Sequence, residues 1–399
     1  MMPASRPTSP QHVLLLSNYP PDKQFSMRRF TEQLADGLRQ LNISVEISPV
    51  PTVIGKLGAK GTGLGKWIGY IDKYLLFPFI LKRKLRQLPG NSIIHIIDHS
   101  NAPYSKWIQR YPHVVTCHDL LAIRCALGEI PQHEPRWTGK QQQAMILRGL
   151  KSSQCIASVS LATQQDVTHL VGADPKWQHH IPNALDESFI KEANKKSVDA
   201  HGNSKRLLQL PDGNRYIMHI GGEKWYKNRK AVLHVFAKLA AKDSNLHLVI
   251  VGPKFSTEAL NENACTDLLT RIHYFSGIAD EQLRELYRAA ELLIFPSYIE
   301  GFGWPILEAQ ACGCAVATFS VEPMRSLNAI EELAVGEEPQ ASTALDNLAA
   351  ASWRYMETRD ASKTEQRKQM KHFAAQYTNE ASAKAYVQLY QQQLNPGSK

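Results

Sequence analysis

The chain has 399 residues, too many for one compact core, so two domains are the natural expectation. A charged fraction of 21% and a hydrophobic fraction of 43% exclude a disordered chain and indicate a soluble globular protein. The net charge of +9 admits anionic partners, but no zinc finger, aromatic-basic RNA-recognition motif or basic heptad arm accompanies it, so nucleic acid is set aside. Met1 to Pro10 lacks the apolar core of a signal peptide, no apolar stretch is long enough to span a bilayer, and six cysteines without framework spacing fit a reducing compartment.

In chain order, His12–Leu16 reads as a first buried strand, Ser17–Asp22 as a loop, and Ser26 to Leu41 as a helix with Phe30, Leu34 and Leu38 on one face. Ile43–Ile47 is the next strand, and together they open a doubly wound α/β domain, whose ligands gather at the carboxyl ends of strands. Residues 52–65 are rich in glycine and lysine and read as a mobile loop. Lys66 to Arg86 mixes aromatics, aliphatics and clustered cations. The favoured reading is a core-packed helix pair kinked at Pro78 with a solvated Lys82–Arg86 end; peripheral contact with an anionic membrane is the alternative, and a lipid-carried acceptor reverses the preference. Ile93–Ile97 and Val114–Cys117 are further buried strands. His95 and His99 face differently on a strand and its exit, unlike a helical zinc pair, whereas His118 emerges at a strand end, with Asp119 beside it to orient the ring. Ile156–Ser160 reads as a strand, Thr163–Leu170 as a helix and His180–Ala184 as an exit strand, before the polar composition between Asp186 and Gly213 marks a linker.

The second half opens on Tyr216–Ile220, then Gly221-Gly222, Lys227 and an amphipathic helix through Val232, Val235, Phe236 and Leu239. Strand, glycine turn and helix describe a nucleotide-binding half, although Gly-Gly alone is weak evidence. Leu246–Val251 and Ile272–Gly277 are strands, Asp280–Ala290 a helix, and Glu291–Phe295 the strand leading into Ser297–Gly313. There Gly301 and Gly303 permit close backbone approach, Pro305 suits the first helical position, and Gly313 stops the helix. A strand, a glycine loop and a helix N-terminus make an anion site suited to a phosphate or diphosphate. Glu300 and Glu308 flank it; since carboxylates repel phosphate, they suit sugar hydroxyls on either side of one, and spacing alone does not separate this from a solvated loop charge and a helix-dipole residue. Ala315–Ser320 is a strand and Lys371–Leu394 a terminal helix.

Glu300 to Glu308, in the form Glu-Gly-Phe-Gly-x-Pro-x-Leu-Glu-Ala, closely resembles the glutamate, seven residues, glutamate motif of retaining glycosyltransferases of family 4 (glycosyl transferases group 1). Leu286–Ser297, Ala311–Val316, the His118-Asp-Leu segment and Ile181-Pro-Asn183 also look like that family, tightly from Ile272 to Val316 and loosely in the first half. The resemblance implies an α/β GT-B fold, two Rossmann-like domains facing a central cleft: 1–190 on the acceptor side, a linker at 191–214, 215–370 binding the nucleotide sugar, and 371–399 packing back on the first. It implies catalytic roles for His118, Glu300 and Lys227, with Glu300 at the donor sugar, Glu308 at the ribose, and Lys227 on the diphosphate. Gly221, Gly222, Gly277, Gly301, Phe302, Gly303 and Trp304 complete the expected donor site.

Three departures stand out: no glycine in the first loop, Ala184 where Gly is common, and Gly222 where the family carries an arginine, with Lys224 or Arg229 as open substitutes. No Asp-x-Asp motif occurs, so no bridging metal is expected, and the nucleotide sugar is a co-substrate rather than a cofactor. The implied function is retaining transfer of a sugar from a nucleoside-diphosphate sugar to a saccharide or lipid-linked saccharide acceptor, in the cytoplasm or peripherally at the inner face of the cell membrane. The rivals are another enzyme on the same fold, such as a phosphorylase or epimerase, and a non-catalytic sugar-binding or membrane-associated subunit.

Overall fold

The apolar runs of the first half become β1 (His12–Ser17), β2 (Ser44–Pro49), β3 (Ser92–Ile96), β4 (His113–Cys117), β5 (Ile156–Ser158) and β6 (His179–His180). They form one parallel sheet in the order β2-β1-β3-β4-β5-β6, with Leu14 in register with Glu46 and Ile94. The buried strands β1, β3, β4 and β5 read as mainly apolar runs because helices cover both faces of a parallel sheet, while the edge strand β2 alternates. The computed structural model describes residues 10–54, 69–192 and 213–395. The expected mobile loop from residue 55 on, Lys66 to Ile68, and most of the expected linker lie outside them.

The second half builds β7 (Arg215–Ile220), β8 (Leu246–Val251), β9 (Ile272–Phe275), β10 (Leu292–Phe295), β11 (Ala315–Phe319) and β12 (Ala334–Val335). This is again a six-stranded parallel sheet, ordered β12-β11-β10-β7-β8-β9. The chain divides into Met1–Ala184 with Asn379–Lys399, and Leu185–Thr378. Each has its own apolar core, one around Leu14, Ile94, Val115 and Ile156, the other around Ile217, Leu248, Ile294 and Ala317.

Three local expectations need correction. The terminal helix is two helices, Asp360–Ala374 and Asn379–Leu394. At the break the Tyr377 carbonyl accepts the Leu185 N–H at 2.8 Å, a tertiary bond that a continuing helix would forfeit. The exit strand at 180–184 is only two residues long. In Lys66–Arg86 a π-helical turn at Asp72–Leu76 precedes an α-helix at Phe77–Leu85, because Pro78 has no N–H to return to the preceding turn. One face of it, Phe77, Pro78, Leu81 and Leu85, is core-packed as expected, but Leu75, Phe79 and Ile80 are exposed.

The Asn379–Leu394 helix packs on the helix Phe25–Gln40 at Gly37, where a Cβ would come within 2.8 Å of the Ala383 Cβ. A buried polar chain fastens it to the sheet: His95 contacts the Tyr390 hydroxyl at 2.6 Å and Thr116 Oγ1 at 2.7 Å, and Thr116 contacts the Tyr386 hydroxyl at 2.8 Å.

Candidate active site

In the second unit, β7 ends in a turn pressed onto its neighbours. Gly221 donates its N–H to the Val251 carbonyl, and Gly252, with φ +154°, lies so close that a Cβ would meet the Gly221 carbonyl oxygen at 2.4 Å. A 3-10 turn, Trp225–Lys227, follows, and Asn228 adopts the left-handed conformation (φ 46°) that asparagine tolerates before the helix Arg229–Ala240 starts. This geometry aims Lys227 at the loop after β10. Its ammonium donates to Glu300 Oε1 at 2.7 Å, with the two side chains only 19% and 9% exposed. The Tyr298 N–H donates to the Tyr226 carbonyl at 2.8 Å, so a backbone bond and an ion pair join two loops about seventy residues apart.

Beyond Glu300 the chain enters the helix Trp304–Ala311 through Gly303, whose φ of 109° and contact with Ile306 Cδ1, at 3.2 Å from a built Cβ, require glycine. Pro305 is at the second helical position rather than the first, and the N-cap is Gly303, which has no side chain to cap the helix, whose positive end suits an anion. Glu308 is 4% exposed and accepts the Tyr287 hydroxyl at 3.5 Å. Burial and that carboxylate push the Tyr287 phenol well above its ordinary range. Phe302 is buried, edge-on to Trp304 and Tyr377, and supports the loop.

Gly277 (φ +63°) and Gly222 have nothing within 4 Å of a built Cβ, and Gly222 is exposed, so its missing side chain is not a steric necessity. Of the two candidate substitutes, Arg229 is buried, donates to the Pro253 carbonyl and lies 4.5 Å over the Phe255 ring, while Lys224 is exposed. Arg229 thus holds the loop after β8, and Lys224 is the cation presented by the turn.

His118 belongs to the first unit. It is 6% exposed, its Nε2–H donates to the Ile97 carbonyl at 2.9 Å, and the Phe30 ring packs against it at 4.8 Å. Burial lowers its pKa and keeps it neutral, and Nδ1 has no hydrogen-bond partner among the described residues. Asp119 does not orient the ring: its carboxylate accepts the Leu121 N–H at 3.1 Å, and a backbone carbonyl holds the imidazole instead. At the carboxyl end of β1 a hollow of about 340 Å³ is lined by Asn18, Tyr19, Lys23, Gln24 and Arg28 among others.

Sequence reasoning missed His219. It lies within β7, 0% exposed, donates Nδ1–H to the Ile294 carbonyl at 2.9 Å, and burial lowers its pKa to about 4. Its Nε2 would stand 3.0 Å from a Cβ on Gly221, which explains that glycine. Tyr287, the partner of Glu308, was also missed; the sequence signal for His219 was a polar residue inside an apolar run, whereas Tyr287 lies in a charged helix with no such signal.

Two family models match, Glycosyl transferases group 1 over residues 202–384 and Glycosyltransferase Family 4 over residues 27–189. The D-inositol 3-phosphate glycosyltransferase of Rhodococcus opacus (strain B4) is 26% identical over 260 residues, 61% of this chain and 55% of that protein. The O-antigen chain mannosyltransferase B of Escherichia coli is 22% identical over 286 residues, 69% of this chain and 71% of that protein. The chain spans about half the length of the first curated relatives it matches. The sucrose-phosphate synthase structure from Thermosynechococcus elongatus superposes with a TM-score of 0.72 at 18% identity, covering 97% of this chain and all of that one. With one model matched to each half, and with two parallel six-stranded sheets in the same architecture, the chain belongs to the group 1, family 4 glycosyltransferases of GT-B fold.

Proposed function

We propose that the chain transfers a hexosyl residue, with retention of configuration, from a nucleoside-diphosphate sugar to a hydroxyl of a saccharide or lipid-linked saccharide. The observation that carries this reading is the Lys227–Glu300 pair beside the glycine-led helix start at Trp304. A bound donor exchanges that pair: diphosphate oxygens take the Lys227 ammonium and the helix N–H groups, and sugar hydroxyls take the Glu300 carboxylate. Glu308, positioned by Tyr287, accepts from the ribose.

When the C1–O bond to the diphosphate breaks, its electron pair stays on the phosphate, where Lys227 and the helix start stabilise it. The acceptor oxygen forms the new bond on the same face, and its proton passes to the departing phosphate. His118, neutral and with Nδ1 unpartnered, is assigned to a hydroxyl on the acceptor side. The acceptor itself is assigned to the hollow at the end of β1, where Lys23 suits an anionic group and Arg28 is paired with Glu32 of the same lining. Polysaccharide or glycoconjugate synthesis fits the O-antigen chain relative, and the location proposed is the cytoplasm, at the inner face of the membrane when the acceptor is lipid-linked.

The test is release of nucleoside diphosphate with and without candidate acceptors, followed by the anomeric configuration of the product. Release that depends on acceptor and yields a retained linkage supports the reading. Acceptor-independent interconversion of the sugar nucleotide places the chain among epimerases, and binding without turnover makes it a sugar-binding subunit.

A further inference from the structure

Of the ten large apolar side chains exposed among the described residues, six are Phe25 (74%), Val53 (51%), Ile71 (36%), Leu75 (60%), Phe79 (72%) and Ile80 (42%). Hydrogen bonds gather these scattered positions at one corner of the first unit. The buried Asp72 carboxylate accepts the Tyr19 hydroxyl at 2.9 Å and the N–H groups of Val53 and Ile54 at 3.1 and 3.0 Å, and Lys73 pairs with Asp22 at 2.5 Å, three residues before Phe25 at the start of the helix Phe25–Gln40.

Along the helical segment the exposed residues are ordered. Ile71, Leu75 and Phe79 are four apart, so they form one ridge, and the opposite face, with Phe77, Leu81 and Leu85, is in the core. Arg83 continues the line one turn beyond Phe79, with Lys82 and Arg86 exposed beside it.

The charges sort into two sets. Lys73 is committed to Asp22, and Lys84 to Glu46 at 2.6 Å and Ser48 at 3.1 Å, while Lys82 lies over the Trp107 ring at 4.4 Å. Arg83 and Arg86 make no ion pair among the described residues, and the one acid of the helical segment, Asp72, is buried. An apolar ridge ending in unpaired exposed cations, with no exposed carboxylate on its own segment, is complementary to an anionic bilayer surface: alkyl and aromatic groups enter the acyl boundary while guanidinium groups meet lipid phosphates.

We infer that this corner docks the first unit on an anionic membrane, with Leu75 and Phe79 as inserting residues and Arg83 and Arg86 as headgroup contacts. The assignment deepens the lipid-linked acceptor reading and rests on it for its purpose.

The experiment is co-sedimentation of the full chain with vesicles of phosphatidylcholine alone or with added phosphatidylglycerol, at low and high salt, for wild type, Leu75→Ser with Phe79→Ser, and Arg83→Gln with Arg86→Gln. Wild type is expected to bind the anionic vesicles. The serine pair is expected to lower partitioning roughly a hundredfold or more at both salts, and the glutamine pair roughly tenfold or more at low salt only. Equal binding by wild type and the serine pair, or no binding by wild type, overturns the proposal. Dimerisation in sedimentation velocity that the serine pair abolishes, without vesicle binding, overturns it in favour of a second copy of this chain as the occupant. Nucleotide titration of the serine pair separates the two readings: unchanged nucleotide binding with lost vesicle binding supports the docking surface, and lost nucleotide binding in the properly folded variant counts against that assignment of the effect.

Discussion

His118 and His219 occupy comparable places in the two units. Each is buried at or near the end of a parallel strand, each gives one N–H to a backbone carbonyl at 2.9 Å, Ile97 or Ile294, and each has its other ring nitrogen without a hydrogen-bond partner among the described residues. Yet only His118 stands in a sequence context that points to catalysis. Local geometry alone therefore does not distinguish a reacting histidine from one that shapes a strand end, and the difference must come from what surrounds it. Around His219 the neighbours are Gly221, Lys227 and Arg229, a tight turn with cations. Around His118 they are Phe30, Asp98 and Thr163, whose hydroxyl donates to the His118 carbonyl at 3.2 Å.

The largest effect is expected at Lys227, on which the proposed donor exchange depends. Lys227→Met should lower kcat roughly 100- to 1000-fold in an acceptor-dependent release assay, together with a lower thermal midpoint because it strands the buried Glu300 carboxylate. Next, the histidines should separate: His118→Ala and His219→Ala should each cost about 1–3 kcal/mol in urea unfolding, since both leave a buried carbonyl unpaired. Only His118→Ala should also lower kcat/KM by a further ten- to a hundredfold; equal losses of activity would erase the distinction. Gly222→Arg should tighten nucleoside diphosphate binding about tenfold by calorimetry, because the position is open and an arginine there adds a charge-assisted bond.

A further effect is on stability against pH. With folded pKa values near 4 for His219 and near 3 for His95, against about 6.5 unfolded, the unfolded chain binds more protons across that interval. Their contribution is complete above about pH 6.5 and falls as pH drops toward those values, by about 1.4 kcal/mol per unit for each ring, measured as urea midpoints.

The strands were legible because a sheet covered on both faces demands apolar runs, and the Ser297–Gly313 loop was legible because its glycines and proline have few other uses. The contact between Lys227 and Glu300 was not, since nothing local in either loop specifies its partner. The helix break at 375–378 was readable in part, as Thr378-Asn379-Glu380 has the residue types of a helix start, but it carries no glycine or proline. Leu75 and Phe79 misled for another reason: apolar residues at helical spacing look the same whether they face a core or solvent, and only tertiary packing decides.

The most direct test is calorimetric titration of UDP, GDP, ADP and their common sugars into wild type and Glu300→Gln. The Lys227–Glu300 exchange predicts that one nucleotide series binds wild type, that the variant holds the free diphosphate at least as tightly because Lys227 is released, and that it loses affinity for the matching nucleotide sugar. Equal affinities of wild type and variant for both ligands, or no binding by any nucleotide, would contradict it.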